Sequence, residues 1–228
     1  MKIHFIIVNS TINLSQNITE DSISKALHSY ENITYSIGQI NANSRQEEAK
    51  ALNNYLKNEK IDCDYICLIP QLSVVSPDLG EFIKSYILDK PIEDAEETLV
   101  FLPLVELVAE GDEKISKGFL NTCPWKSYMH PEEVGILDNK LANAQVDTTL
   151  YGALIPIDVF TKIEINETLK FFYHFNLINQ FTAQEIRIVG IQKAFLLLVH
   201  DYELKGENEA EKREDFNNAK SIECVKIK

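Results

Sequence analysis

Short apolar runs separated by polar turns open the chain. His4 to Val8 reads as a compact apolar strand that ends near Asn9, Ser10 and Thr11. A polar segment follows, with Ser15 and Asn17 as candidate caps. Asp21 to Tyr30 then places Ile23, Ala26 and Leu27 on one side of a helix. Ile33 to Ile40 predicts a second strand. A helix from Asn43 or Ser44 to about Asn58 repeats Ala49, Leu52 and Leu56 at helical spacing, with Glu47 in capping-box register to Ser44. The run DYICLIP predicts a third strand. A loop and another helix come next, with Pro77 near the helix's first turn.

This strand-helix-strand-helix-strand order predicts a nucleotide-binding α/β layer. Neither GxGxxG nor GxxxxGK[ST] occurs, so a dinucleotide fingerprint and a Walker A loop are excluded. Further on, Leu99 to Val108 is apolar enough for a strand. NTCPWKSYMHPEEVG reads as a loop holding Trp125, Tyr128 and His130. Asp147 to Leu154 and Pro156 to Phe160 read as a strand and a short helix. The aromatic group Phe171, Phe172 and Tyr173 precedes a helix from Asn176 to Gln184. Ile186 to Ile191 is strand-like, and Phe195 to Val199 is a candidate further strand. Glu207 to Asn218 is either a helix or a loose tail, and Val225 and Ile227 either an edge strand or a mobile end. A mainly parallel first half is expected to merge into a mixed second half.

Composition narrows the function classes. The 228 residues carry 45% hydrophobic and 25% charged side chains, those of an ordinary globular chain. A chain of this size buries about 70% of its extended surface, so no disulfide or metal staple is required. The formal charge is -13, and the arginines are Arg45, Arg187 and Arg213. Such a surface repels nucleic acid and anionic lipid, so no nucleic-acid partner is expected. The 4 cysteines include no CxxC pair, which argues for buried free thiols in a reducing compartment rather than structural zinc. No export signal and no apolar stretch of spanning length is recognisable, so the expected location is the cytoplasm.

Six fragments, in order, carry a resemblance: FIIVNS, NANSRQEEAKALNNYL, DYICLIPQLSVVSPDLGEFI, YGALIPIDVF, KFFYHFNLINQFTAQEIRIVG and FLLLVHDYELKG. Together they resemble a GT-A glycosyltransferase of the family 2 type, over about residues 3 to 205. The resemblance implies an α/β fold with a GT-A-like mixed sheet flanked by helices over residues 1–205, followed by a charged extension over 206–228. It implies transfer of a sugar, with inversion, from a nucleotide-sugar donor to the hydroxyl of a glycan acceptor. The alternative is an inactive subunit of the same fold that binds a protein partner or a second copy of itself.

The resemblance also assigns residues. Asn9 and Ser10 match the nucleobase-contact loop, and Arg45 matches the arginine that opens the second helix. Pro70-Gln71-Leu72 stands where the family carries two metal-binding carboxylates; Gln71 offers only an amide, so a magnesium or manganese ion is doubtful. His174 and Asn176 match the acidic positions of the family's EDxDL motif. His174 is there either the base that takes the acceptor proton or a structural hydrogen-bonding residue. Asn176 is either a sugar contact or a helix cap. His200 matches the late histidine near the diphosphate. Gly152 lies in the acceptor segment, as either a close backbone approach or a tight fold position. Trp125 and Tyr128 are either a sugar-stacking pair or packing residues.

Overall fold

The computed structural model describes residues 1–9, 17–89, 99–108, 117–120, 135–136, 150–184, 186–198 and 209–220. Two sheets organise them. The first has the order β2-β1-β3-β8. Its parallel core is β1 (Lys2–Asn9), β2 (Thr34–Asn41) and β3 (Tyr65–Pro70), and β8 (Ile155–Pro156) closes the β3 side antiparallel. β1 is the centre, with Ile3, Phe5, Ile6, Ile7 and Val8 buried on both faces, as a doubly covered parallel strand demands.

Two crossover helices build this layer. α1 (Ile18–Leu27) buries Ile23, Ala26 and Leu27, the stripe its spacing predicts. α2 (Arg45–Asn58) starts at Ser44, whose hydroxyl accepts the Glu47 N–H at 3.2 Å. The Glu47 carboxylate reaches back to the Asn43 N–H at 2.9 Å, one residue beyond the partner a capping box would use. After β3 come β4 (Val74–Val75) and α3 (Asp78–Ile83), which continues as a π-helical turn over Lys84–Leu88. α3 lies close against α1: a Cβ on Gly80 would meet the Tyr30 ring and come within 2.6 Å of the Ala26 carbonyl.

The second sheet follows the order β4-β9-β5-β6. Its strands β5 (Leu99–Val108) and β9 (Arg187–Leu198) run parallel, and β6 (Lys117–Leu120) and β7 (Gly135–Ile136) pair antiparallel with β5 and β9. The two late strands expected from Ile186 to Val199 are thus one continuous strand through Leu198. The strand expected from Asp147 to Leu154 shrinks to a single bridge at Tyr151 before β8 and the short α4 (Ile157–Phe160), and 147–149 lie outside the described residues. α5 (Tyr173–Ala183) begins within the aromatic group rather than after it. α6 (Glu209–Lys220) realises the helical alternative for the charged C-terminal stretch and packs on α5 through Phe216 and the buried Ala219. The expected boundary at residue 205 and the expected edge strand at Val225 lie outside the described residues. The fold is mixed α/β, with a four-stranded mixed sheet flanked by helices.

Candidate functional site

The crossover β1-α1-β2 runs to one side of β1, and β2-α2-β3 returns across β1 to its other side. This creates a topological switch between β1 and β3, the place where open α/β sheets bind ligands outside the strands' carboxyl ends. Asn9, Asn41 and Pro70 end the three strands there. Main-chain bonds close the edge: Gln71 N–H donates to the Val8 carbonyl at 2.8 Å, and Ala42 N–H to the Asn9 carbonyl at 2.9 Å. The Asn9 amide donates to Gln39 Oε1 at 3.1 Å, and Gln39 in turn to Glu20 at 2.8 Å. α1 and α2 both start at this edge, so the positive ends of their dipoles face it.

The chain leaves β3 through a turn in which Ser73 N–H meets the Pro70 carbonyl at 3.3 Å. Leu72 holds φ 68 there, the left-handed region, which costs a residue with a branched side chain about 1–2 kcal/mol. A divalent cation does not fit this turn. Pro70 and Leu72 have no side-chain ligand atom and Gln71 has only a neutral amide. Among the described residues no group of three or more His, Cys, Asp or Glu is placed to hold a metal.

The densest polar cluster lies one layer in, at the first turn of α2. Glu48 is 0% exposed. Tyr151 donates to its Oε2 at 2.7 Å and Tyr173 to its Oε1 at 2.5 Å. The Arg45 guanidinium stands 3.4 Å from Oε2 and stacks over the Tyr151 ring, 4.5 Å from its centroid. His174 is 3% exposed and completes the cluster. Leu150 N–H donates to its Nδ1 at 3.2 Å, so the hydrogen-bond network assigns the proton to Nε2. Nε2 lies 2.7 Å from the Tyr173 hydroxyl and 3.4 Å from Glu48. A relay of donors therefore runs from Leu150 through His174 and Tyr173 to the carboxylate.

Burial is the largest single influence on the Glu48 carboxyl and opposes its ionisation. The nearby His174 side chain, the charge of Arg45 and the Tyr151 hydroxyl together outweigh it and hold the group down at about 2. Glu48 is thus an ionised, fully paired carboxylate at the root of the site. It balances the charge of Arg45.

Of the six expected site residues that fall within the described residues, five lie near this edge. Asn9, Arg45, Gln71, Gly152 and His174 gather around the ends of β1 and β3 and the start of α2. Gly152 N–H donates to the Leu68 carbonyl at 2.8 Å, and its φ of 74 makes glycine the residue the backbone requires. The tight fold position is therefore its described role. His174 is not placed as an open base: its ring is buried and both nitrogens are engaged inside the protein. Asn176 is turned away from the edge. It is 0% exposed, donates to the Ala219 carbonyl at 3.2 Å and accepts from Gln180 at 3.0 Å, so it ties α5 to α6. Ser10, Trp125, Tyr128 and His200 lie outside the described residues.

Glu48, Tyr151 and Tyr173 form the centre of the cluster, and the sequence reading did not single them out as one. A signal for Glu48 existed: it falls on the same helical stripe as Ala49 and Leu52, where a carboxylate must be buried and therefore paired. Its partners come from residues more than 100 positions later, and no local pattern announces them.

No family model matches the chain, and no curated protein matches it. Among solved structures it is similar to the crystal structure of S. aureus TarS 1-349, at 13% identity and a TM-score of 0.47, over 94% of this chain and 62% of that one. It is also similar to the same protein in complex with UDP-GlcNAc, at 11% identity and a TM-score of 0.48, over 96% and 64%. The chain thus spans less than two thirds of those chains. Among the described residues no helix is long and apolar enough to cross a membrane.

Proposed function

We propose that the chain is a GT-A-like glycosyltransferase that binds a nucleotide sugar at the carboxyl edge of its first sheet and transfers the sugar to an acceptor hydroxyl in glycan synthesis. One observation carries this reading. Fragments that resemble the family from five separate stretches, at Asn9, Arg45, Pro70, Gly152 and Tyr173, converge on one edge through direct bonds. The nucleobase sits against Asn9. The diphosphate lies toward the positive ends of α1 and α2, where Arg45 offers guanidinium donors from the first position of its helix. His174 acts through Tyr173 and Glu48 to position Arg45, and does not itself take the acceptor proton.

A second reading, a binding or complex-forming subunit of the same fold without turnover, is favoured by a different observation. His174 and Asn176, at the positions of the family's acidic pair, are both buried and bonded internally. One experiment separates the two. A panel of nucleotide sugars starting with UDP-GlcNAc, the ligand of the TarS complex, is tested for saturable binding and for release of the nucleotide diphosphate, with and without magnesium or manganese. Sugar-selective binding with turnover supports transfer. Binding without turnover supports the subunit. No saturable binding by any member of the panel overturns donor binding altogether.

A further inference from the structure

The start of α5 has no cap of its own. Lys170, Phe171 and Phe172 precede it, and none has a side chain that accepts a hydrogen bond. The acceptor comes from α6. Asp215, 7% exposed, takes the Lys170 N–H on Oδ1 at 2.9 Å and the Phe171 and Phe172 N–H groups on Oδ2 at 2.9 and 3.2 Å. Three backbone amides of the turn that leads into α5, the last of them at its N-cap position, are bound by one carboxylate more than 40 positions away, beside the positive end of the α5 dipole. Phe216 packs its ring against Phe172 and Phe175, and the Ala219 carbonyl accepts from Asn176 and Asn179, so α6 grips the first two turns of α5.

The residues that follow the capped amides are Tyr173 and His174. From them the bonds run to Glu48, and from Glu48 to Arg45 and Tyr151. We propose that Asp215 is a positioning residue of the site: by capping α5 from the C-terminal helix it fixes Tyr173 and His174 on Glu48, and through Glu48 it fixes Arg45 at the ligand-binding edge. The last helix is then a working part of the site rather than an appendage. The link from Asp215 to Glu48 stands on geometry alone. Its consequence for ligand rests on the proposed donor binding.

The test uses the full chain with Asp215→Ala, and with Asp215→Asn, which keeps one acceptor oxygen. Glu214→Gln on the exposed face of α6 and Ile33→Val in the core ahead of β2 are controls, the second chosen for a comparable loss of stability. Amide exchange is followed in the folded protein. Removing the cap should speed exchange about tenfold at the Leu150 amide, which donates to His174, and over 45–49 in the first turn of α2, with a smaller effect for Asp215→Asn and none for either control. Faster exchange confined to α5 and α6 overturns the proposal, because Asp215 is then a local cap only. UDP-GlcNAc affinity is measured on the same proteins and should weaken about tenfold in Asp215→Ala. Unchanged affinity beside a wild type that binds also overturns it. If the wild type does not bind UDP or UDP-GlcNAc, the donor reading fails for these ligands, and the exchange data still decide whether Asp215 holds Glu48.

Discussion

Replacing Glu48 by glutamine tests the centre of the structure with almost no change of shape. The carboxylate accepts two tyrosine hydroxyls and balances Arg45 without contact with water. The amide accepts on one atom only, so either Tyr151 or Tyr173 must turn its hydroxyl, and Arg45 loses its counter-charge. The size of the effect follows from the displaced ionisation. A carboxyl held at about 2 instead of 4.5 contributes up to about 3 kcal/mol at neutral pH. The sign is that of a depressed carboxyl. The unfolded chain takes up the proton first, so this contribution is complete above pH 4.5 and is lost as pH falls toward 2. Urea unfolding of wild type and Glu48→Gln should therefore differ by about 2–3 kcal/mol at pH 7, and the gap should narrow steadily below pH 4.5. A difference under about 0.5 kcal/mol at pH 7, or one that stays constant into acid, would show that Glu48 is not an ionised keystone.

Other expectations rest on separate features. Tyr173→Phe removes a donor to an ionised group and the link to His174, so it should cost about 1.5–3 kcal/mol, and a double-mutant cycle with Glu48→Gln should show coupling well above 0.5 kcal/mol; additive losses would refute the relay. Gly152→Ala places a Cβ on a backbone at φ 74 and should destabilise by about 1–2 kcal/mol, read as a lowered urea midpoint. His4 bridges Ser36 and Tyr55 at 2.7 and 2.9 Å, and burial, its largest influence, lowers its pKa below the ordinary 6.5. Stability should accordingly decline as pH falls below 6.5, and His4→Gln should remove that slope; a variant that keeps it would assign the slope to another group.

The fold was legible wherever a local pattern carried it. β1 and β3 are continuous apolar runs, β2 shows only an imperfect alternation around Ile37 and Ile40, and α1 and α2 repeat their buried residues at helical spacing. The crossovers then follow from chain connectivity. What stayed hidden depends on distant partners. α5 was placed three residues late because Phe171 and Phe172 cap nothing, and the true cap is Asp215 on another helix. The catalytic expectation for His174 rested on its place in a motif. Both ring nitrogens are engaged inside the protein, Nδ1 by the Leu150 N–H, which no motif contains. For Asn176 the same motif leaves a sugar contact or a helix cap, and its amide donates to the Ala219 carbonyl in α6.

These misplacements share a physical cause that bears on function. At each position where the resembled family carries an acid, this chain has a residue that makes no charge demand: Pro70 and Leu72 at the end of β3, His174 and Asn176 at the start of α5. Among the described residues the buried carboxylates are instead Glu48 and Asp215, each bonded to several donors. Removing one partner of the buried Arg45–Glu48 pair is costly because the other charge is left unpaired. Through Tyr173 and Tyr151, Glu48 ties α2 to the start of α5 and to the segment before β8, beside Arg45. On the proposed function, the chemistry there rests on the Arg45 guanidinium, held in place by Glu48. On that same reading, changes to Glu48 should weaken ligand binding through Arg45 even though Glu48 touches no solvent.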